Sequence, residues 1–442
     1  ILECAPFRIT RDMDLSIDED SISDLLTEMQ IALQKKKDRR VIRLELDARM
    51  SDASRKWLME RLAVPAESVF PISGMLNLKS LFETTSVPHP ELKNEPLPPL
   101  PSIACAGTSS MFAAIRKNGP FLLHLPYESF DPVVRLLEEA ADDPDVLAIK
   151  QTLYRVGSNS PIVSALIRAA RQGKQVTVLF EIKARFDEAN NIQRAHELAE
   201  AGAHVVYGIA GLKVHCKALL IVRKEKAGIR RYVHLGTGNY NASTAKQYTD
   251  IGCFSDDRLL AEDVSGLFNV ITGFSNPPPW NKLVVAPFNM KDSLIYWIDR
   301  EARLSSEENP GHIVIKANAA IDYEVLERLY AAAEHNVKID MIIRGICGLN
   351  PKCLSPKAAA NLRIVSIVDR FLEHARIYRF RNNGTPEYYL GSADVMPRNL
   401  RRRIELLFPV EDAELRKELD MIIDMQLGDK RKGRLLLGAN EY

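Results

Sequence analysis

His215 and Lys217, two residues apart, and His374 and Arg376, at the same spacing, are the side chains in this sequence best suited to chemistry. A neutral imidazole is a nucleophile, and a cation fixed beside it stabilises the charge of a reaction at an anionic centre. The first pair lies in GLKVHCKALLIV, Gly211 to Val222, whose apolar alternation predicts a strand ending in the buried run Ala218 to Val222. Residues two apart on a strand share a face, so His215 and Lys217 are expected to project together. The second pair lies in FLEHARIYRF, Phe371 to Phe380, another strand-like run. A single His-x-Lys is ordinarily a half-exposed strand histidine. Its return calls for a functional explanation.

Other polar landmarks return in the same order. Arg185 precedes His215 by 30 residues, and Arg344 precedes His374 by 30. GTGN, Gly236 to Asn239, answers GSAD, Gly391 to Asp394, and a carboxylate follows each first glycine by 14 residues: Asp250 and Glu405. Equal spacings between polar residues imply two homologous halves. The turns can present backbone N–H groups to an anion, because glycine permits close approach. Each carboxylate can hold an imidazole N–H and leave the other ring nitrogen free to attack. Asp250 is therefore expected to orient one histidine and Glu405 the other. With further cations at Arg155, Lys183, Arg370 and Arg398, a cleft between the halves suits a substrate bearing several phosphates. The run Arg401 to Arg403 is expected to be solvated surface.

The elements that must position these residues alternate strand with helix. Asp131 caps a helix with Pro132 at its first position, and Val146 to Leu153 is a strand. Ser160-Pro161 opens a helix closed by Gly173, and Val176 to Ile182 is the next strand. The second half repeats this order with a strand at Ile313 to Lys316, a helix over Tyr323 to Glu334 and a strand from Val337 to Ile343. Such alternation implies layered α/β sheets. Ahead of them lies a small α+β unit, with a helix capped by Asp20 or Ser21 that carries Ile22 to Leu33, and a strand at Val41 to Leu46. Pro88 to Pro101 is a proline-rich connector.

Composition narrows the class. The 442 residues are 46% hydrophobic and 26% charged, as in a soluble globular protein, and the net charge of +1 points to neither nucleic acid nor a membrane surface. The six cysteines show no metal-binding spacing and read as reduced thiols of a cytoplasmic protein. No apolar run reaches the ~18 residues of a membrane span. The chain opens on Ile1 without a signal-peptide pattern and reads as a fragment.

The duplicated H-x-K/H-x-R followed by a G-S/T-x-N/D turn resembles the phospholipase D-like superfamily. VTVLFEIKARFDEANNI, GLKVHCKALLIVRK, YVHLGTGNYN, SIVDRFLEHARIY and SADVMPRN are similar, more narrowly, to polyphosphate kinases of the histidine-dependent family, which move the terminal phosphate of ATP reversibly onto polyphosphate. The resemblance implies an α/β fold with a head domain and connector at 1–101 and two phospholipase D-like catalytic domains at 102–283 and 284–442. By this likeness His215 is the phosphorylated histidine, His374 a second essential histidine on nucleotide phosphate, and Tyr248 and Arg344 contact ATP. Arg155 and Arg185 match positions associated with Mg²⁺ and phosphate. Arginine is no metal ligand, so they are expected to clamp phosphate beside an ion held by nucleotide oxygens and water.

ATP or ADP and polyphosphate are the implied partners, nucleic acid is not, and a homo-oligomer is compatible with the resemblance. The family's N-terminal helical domain, with its adenine-side contact, has no counterpart in this sequence. Lys217 is a compact cation suited to a phosphoryl group in transfer, and Arg376 a fork suited to phosphate oxygens already in place. Asn239 ends the first turn but Asp394 the second, where its charge would repel phosphate, so covalent phosphate is expected at His215. The alternatives are a phospholipase D-like phosphodiesterase and a non-catalytic polyanion-binding protein. Val222 and Arg381 occupy the positions where the extended H-x-K-x4-D pattern has aspartate, which argues against the phosphodiesterase.

Overall fold

The computed structural model describes residues 3–12, 31, 39–157, 159–181, 188–209, 211–273, 275–439 and 441–442. Lys183, Arg185 and all of the helix expected over Asp20 to Leu33 except Ile31 lie outside them. The chain divides into two compact units between Pro96 and Leu97, inside the proline-rich stretch.

The first unit holds a three-stranded sheet, β1 (Phe7–Arg11), β2 (Val41–Asp47) and β3 (Val69–Ile72), with β2 central. Its small core joins Val41, Leu44 and Leu46 to Leu58 of the helix Asp52–Leu62. Ser51 starts that helix by accepting the Ser54 N–H, and Ala63 ends it in the left-handed region.

The second unit holds two large sheets. In chain order the first half supplies β4 (Phe121–Leu125), β5 (Val146–Leu153), β6 (Gln175–Phe180), β7 (His204–Val206), β8 (Lys213–Val214), β9 (Lys217–Glu225), β10 (Gly228–Gly236) and β11 (Tyr248–Ser255). The second half supplies β12 (Val284–Ala286), β13 (His312–Ala317), β14 (Lys338–Ile343), β15 (Leu362–Ile367), β16 (Leu372–Glu373), β17 (Ile377–Phe380), β18 (Glu387–Gly391), β19 (Arg403–Pro409) and β20 (Gly433–Leu435). The order β11-β10-β9-β5-β6-β7 in one sheet repeats as β19-β18-β17-β13-β14-β15 in the other. Helices cross over between the parallel strands: Pro161–Arg171 joins β5 to β6 and Tyr323–Glu334 joins β13 to β14. Ser160 and Asp322 cap them through their side chains. The sheets share one core, in which Leu220, Val233 and Leu235 meet Ile377, Leu390, Ile404 and Leu406. Each such side chain, fully buried, contributes about 1.5–3 kcal/mol.

Strand register fixes the equivalences and corrects one of them. Leu153 pairs with Phe180 and Ala317 with Ile343, so the residue that matches Arg344 is Glu181, not Arg185. Glu181 precedes His215 by 34 residues, against 30 for Arg344 and His374, so the equal arginine spacing was coincidental. A second correction concerns the histidine strands. Each is broken at its histidine, between β8 and β9 and between β16 and β17. The His215 and Cys216 N–H groups both converge on the Ile404 carbonyl, at 2.9 and 3.0 Å, as at a bulge. The regular alternation expected for His215 and Lys217 stops there.

Candidate active site

Each histidine is carried by a short strand added to the sheet of the other half. β16 pairs in parallel with β11, matching Tyr248 to Leu372 and Thr249 to Glu373, and the His374 N–H donates to the Thr249 carbonyl. Reciprocally, β8 pairs with β19, matching Arg403 to Lys213 and Ile404 to Val214. β11 carries Asp250 and β19 carries Glu405. Histidine and carboxylate therefore meet across the halves. His374 Nδ1 lies 2.8 and 3.0 Å from the two Asp250 oxygens, and His215 Nδ1 lies 2.9 Å from Glu405 Oε2. A carboxylate only accepts, so Nδ1 carries the proton in both rings and each Nε2 keeps its lone pair.

The turns hold the carboxylates. Thr237 Oγ1 donates to Asp250 Oδ1 at 2.6 Å, and the Ser392 hydroxyl donates to Glu405 Oε2. Asn399, 1% exposed, donates its amide to Glu405 Oε1. Gly238 packs so closely that a Cβ there would stand 2.2 Å from Asp250 Oδ2. The N–H groups of Thr237 and Ser392 are spent on the carbonyls of Ile251 and Leu406, so at these two residues the turn offers its hydroxyl to an acid, not its N–H to an anion.

The cations divide into structural ones and ones facing the site. Arg376, 2% exposed, donates Nε and Nη2 to Asp394 at 3.1 and 3.3 Å and Nη1 to the carbonyls of His374 and Thr237 at 2.7 and 3.3 Å. Nη1 is also 3.1 Å from both ring nitrogens of His374, which places it over the ring face and leaves the in-plane Nε2 lone pair free. The fork expected to grip phosphate thus positions His374. Asp394 is neutralised by the same pairing, so the repulsion expected from it does not apply. Lys217 Nζ donates to the His215 carbonyl and lies 5.6 Å from the centre of the Tyr154 ring. Arg344 donates Nε to Asn318 Oδ1 at 2.6 Å.

Arg403 is the residue the sequence reading misplaced. It sits two before Glu405, as Tyr248 sits two before Asp250, and the repeat could have located it. Its side chain is 17% exposed and approaches Glu405 no closer than 3.9 Å, leaving a largely buried cation beside His215. Tyr248 packs its ring 5.2 Å from that of His374 and, with Arg344, Arg370 and Phe371, lines a pocket of about 370 Å³. Arg155 places its guanidinium 5.7 Å from the centre of the Tyr154 ring. Two supports went unread: Asn318, bonded to Asp394 and the His374 carbonyl, and the buried pair of Lys316 with Glu373.

Burial and these cations set the protonation states. Burial, then Lys217, Arg403 and Arg376, hold the His215 pKa well below its ordinary 6.5. Burial and Arg376 also lower that of His374. Burial pushes the Lys217 ammonium down to about 7. Burial raises the Glu405 carboxyl above its usual range. At Asp250 burial acts upward too, but His374, Thr237 and Arg376 more than offset it and hold the carboxyl low. Both imidazoles are therefore neutral at pH 7, as nucleophilic attack by nitrogen requires.

Two sheets of repeated order, each delivering a His-x-cation to the acid of the other, define a duplicated α/β fold with a two-histidine site. Three family models match the chain: polyphosphate kinase middle domain over residues 1–84, C-terminal domain 1 over 110–277 and C-terminal domain 2 over 283–442. The chain belongs to the polyphosphate kinase family. It is 46% identical to polyphosphate kinase 1 of Chlorobaculum tepidum over 98% of its own length and 62% of the relative's. It is 47% identical to the polyphosphate kinase of Prosthecochloris aestuarii, over 96% and 60%. The crystal structure of polyphosphate kinase from Porphyromonas gingivalis superposes with a TM-score of 0.81 at 34% identity, covering 97% of this chain and 62% of that one. The chain thus spans about three-fifths of the length of these relatives.

Proposed function

We propose that this chain carries the phosphoryl-transfer centre of a polyphosphate kinase, moving the terminal phosphate of ATP reversibly onto polyphosphate through a phosphohistidine at His215. The observation that carries this reading is the pair His215–Glu405: a buried, neutral imidazole with Nδ1–H on a carboxylate and Nε2 left to attack. Nε2 forms the bond to phosphorus, the bridging P–O bond breaks, and its electron pair leaves with the nucleoside diphosphate. Lys217 and Arg403 put positive charge at the same ring and neutralise the phosphoryl oxygens. His374, held by Asp250 and packed against Tyr248, contacts phosphate or gives up a proton on the nucleotide side once the charge of the bound phosphate has protonated its Nε2. The pocket beside Tyr248 admits the nucleotide. The two rings diverge because Arg403 stands at His215 where Tyr248 stands at His374.

Mg²⁺ belongs to this reading only as part of the nucleotide. Among the described residues no group of three or more His, Cys, Asp or Glu side chains can hold a metal. The acids nearest the histidines are engaged: Asp250 and Glu405 by imidazole, Asp394 by Arg376. These residues do not fit a protein-built Mg²⁺ site, and the ion is accommodated on phosphate oxygens and water. Among the described residues no helix is long and apolar enough to cross a membrane.

Incubation of the intact protein with terminally labelled ATP and Mg²⁺ tests the proposal. An acid-labile, base-stable phosphoprotein is expected, and it should be lost in His215→Gln. A phosphodiesterase would act on diester substrates alone, and a polyanion binder would hold no covalent label. Full labelling of His215→Gln would overturn the assignment.

A further inference from the structure

We propose that the Tyr154 hydroxyl is a hydrogen-bond donor to the phosphoryl group at His215, a substrate-contacting group that the second half lacks. The proposal rests on His215 being the phosphoryl acceptor. Tyr154 follows β5 directly, and its carbonyl is anchored by Asn191 Nδ2 at 2.9 Å. Its ring meets that of His215 edge to face, with centroids 4.9 Å apart and planes at 87°. That contact, with Glu405 on Nδ1, fixes the imidazole on two sides.

The hydroxyl itself has no acceptor among the described residues. The fully buried tyrosines differ: Tyr378 donates to the Ala393 carbonyl, Tyr240 to the His234 carbonyl and Tyr232 to Glu225. A half-buried phenol that finds no acceptor among the described residues, at the ring of a nucleophile, is placed for a ligand. Burial raises its pKa above the usual 10, so it is a donor throughout the neutral range. Arg155 and Arg403 bring positive charge to the same side chain.

Comparison of the halves isolates the feature. By strand register Tyr154 corresponds to Asn318. The Asn318 amide is spent on Asp394 Oδ1, the His374 carbonyl and Arg344. Among the described residues the first half therefore keeps a spare donor where the second keeps none, on the histidine assigned to carry phosphate. In the transfer step the phenol keeps its proton. It bonds a non-bridging phosphoryl oxygen as Nε2–P forms and the bridging P–O bond breaks.

Tyr154→Phe retains the ring against His215 and removes only the donor. In rapid-quench measurements with terminally labelled ATP on the intact protein, the rate of phosphoprotein formation should fall roughly 10- to 100-fold, the range for one hydrogen bond to a charged group. The thermal midpoint should be unchanged, because the hydroxyl has no partner to lose among the described residues. Tyr154→His, which restores a donor on a ring, should recover part of the rate. A native rate in Tyr154→Phe, with normal labelling of the unmodified protein on His215, would overturn this proposal alone. An equal loss of rate in both variants would also overturn it. Absence of label on His215 in the unmodified protein would instead remove the phosphohistidine reading beneath it.

Discussion

Replacing Glu405 with Gln separates the charge of the carboxylate from its role in fixing the imidazole. Glu405 Oε2 accepts from His215 Nδ1 and the Ser392 hydroxyl, and Oε1 accepts from Asn399. In Glu405→Gln the amide oxygen can keep the first two bonds, which turns the new NH₂ toward Asn399. Asn399 Oδ1 is buried without a partner, so half a turn of that amide presents an oxygen to the new donor. Every hydrogen bond survives, and the stability change should stay below about 1 kcal/mol. Linkage points the same way. Burial raises the Glu405 pKa, so the folded state binds more protons and stability falls as pH rises from the ordinary carboxylate value through the raised one. A neutral Gln removes that cost at pH 7. Only the charge opposing the cationic ring of the transition state is lost.

The rate of phosphoprotein formation should then drop about 10²-fold, the low end of what acid–base partners contribute. Glu405→Ala also frees the ring to rotate and should lose nearer 10⁴-fold, with a lower thermal midpoint. Rapid-quench labelling and thermal unfolding of the two variants, side by side, check both statements. Labelling of Glu405→Gln within fivefold of native, or a rate loss matched by a collapse of the midpoint, would refute the reasoning.

Three further outcomes follow from the same geometry. With Lys217 near 7, kcat/KM at low ATP should decline as pH rises through about 7, because the ammonium loses its proton; Lys217→Arg should abolish that limb. The acid limb should lie well below 6.5, where an unperturbed His215 would place it, and a pH–rate profile of the free enzyme reads both limbs. Gly238→Ala sets a Cβ 2.2 Å from Asp250 Oδ2 and should cost about 1–3 kcal/mol together with most of the turnover, measured by denaturant unfolding and steady-state transfer. His374→Gln should slow transfer about 10²–10⁴-fold yet still accumulate label on His215 during long incubation; stable label on His374 in the unmodified protein would exchange the two roles.

The duplication was legible because polar residues at equal offsets have no packing reason to recur. Gly236 and Gly391 end matched strands, and Asp250 and Glu405 take the same third position in theirs. The arginine pairing misled because the loops between β6 and His215 and between β14 and His374 differ in length, so distance along the chain stopped tracking position in the sheet. Which acid meets which histidine was invisible, since β8 and β16 are two-residue strands whose partners lie in the other half. Arg403 was read as surface from its company, Arg401 and Arg402. Arg401 does turn away from the histidines, pairing with the helix cap Asp322 and with half-exposed Glu324, whereas Arg403 begins β19 and is largely buried. Tyr154 carried no signal in the sequence, because an aromatic at a strand end is ordinarily core.

The reciprocal strand addition bears on descent. Neither half contains a histidine and its own acid in register, so an ancestral single half could complete the site only by meeting a second copy across a two-fold axis, each lending a strand to its mate. Within one chain nothing enforces that symmetry. Once the positions belonged to different stretches of one chain, Lys217 and Arg376, Arg403 and Tyr248, and Tyr154 and Asn318 were free to part company. A symmetric pair of equivalent imidazoles could thereby become a donor side and an acceptor side.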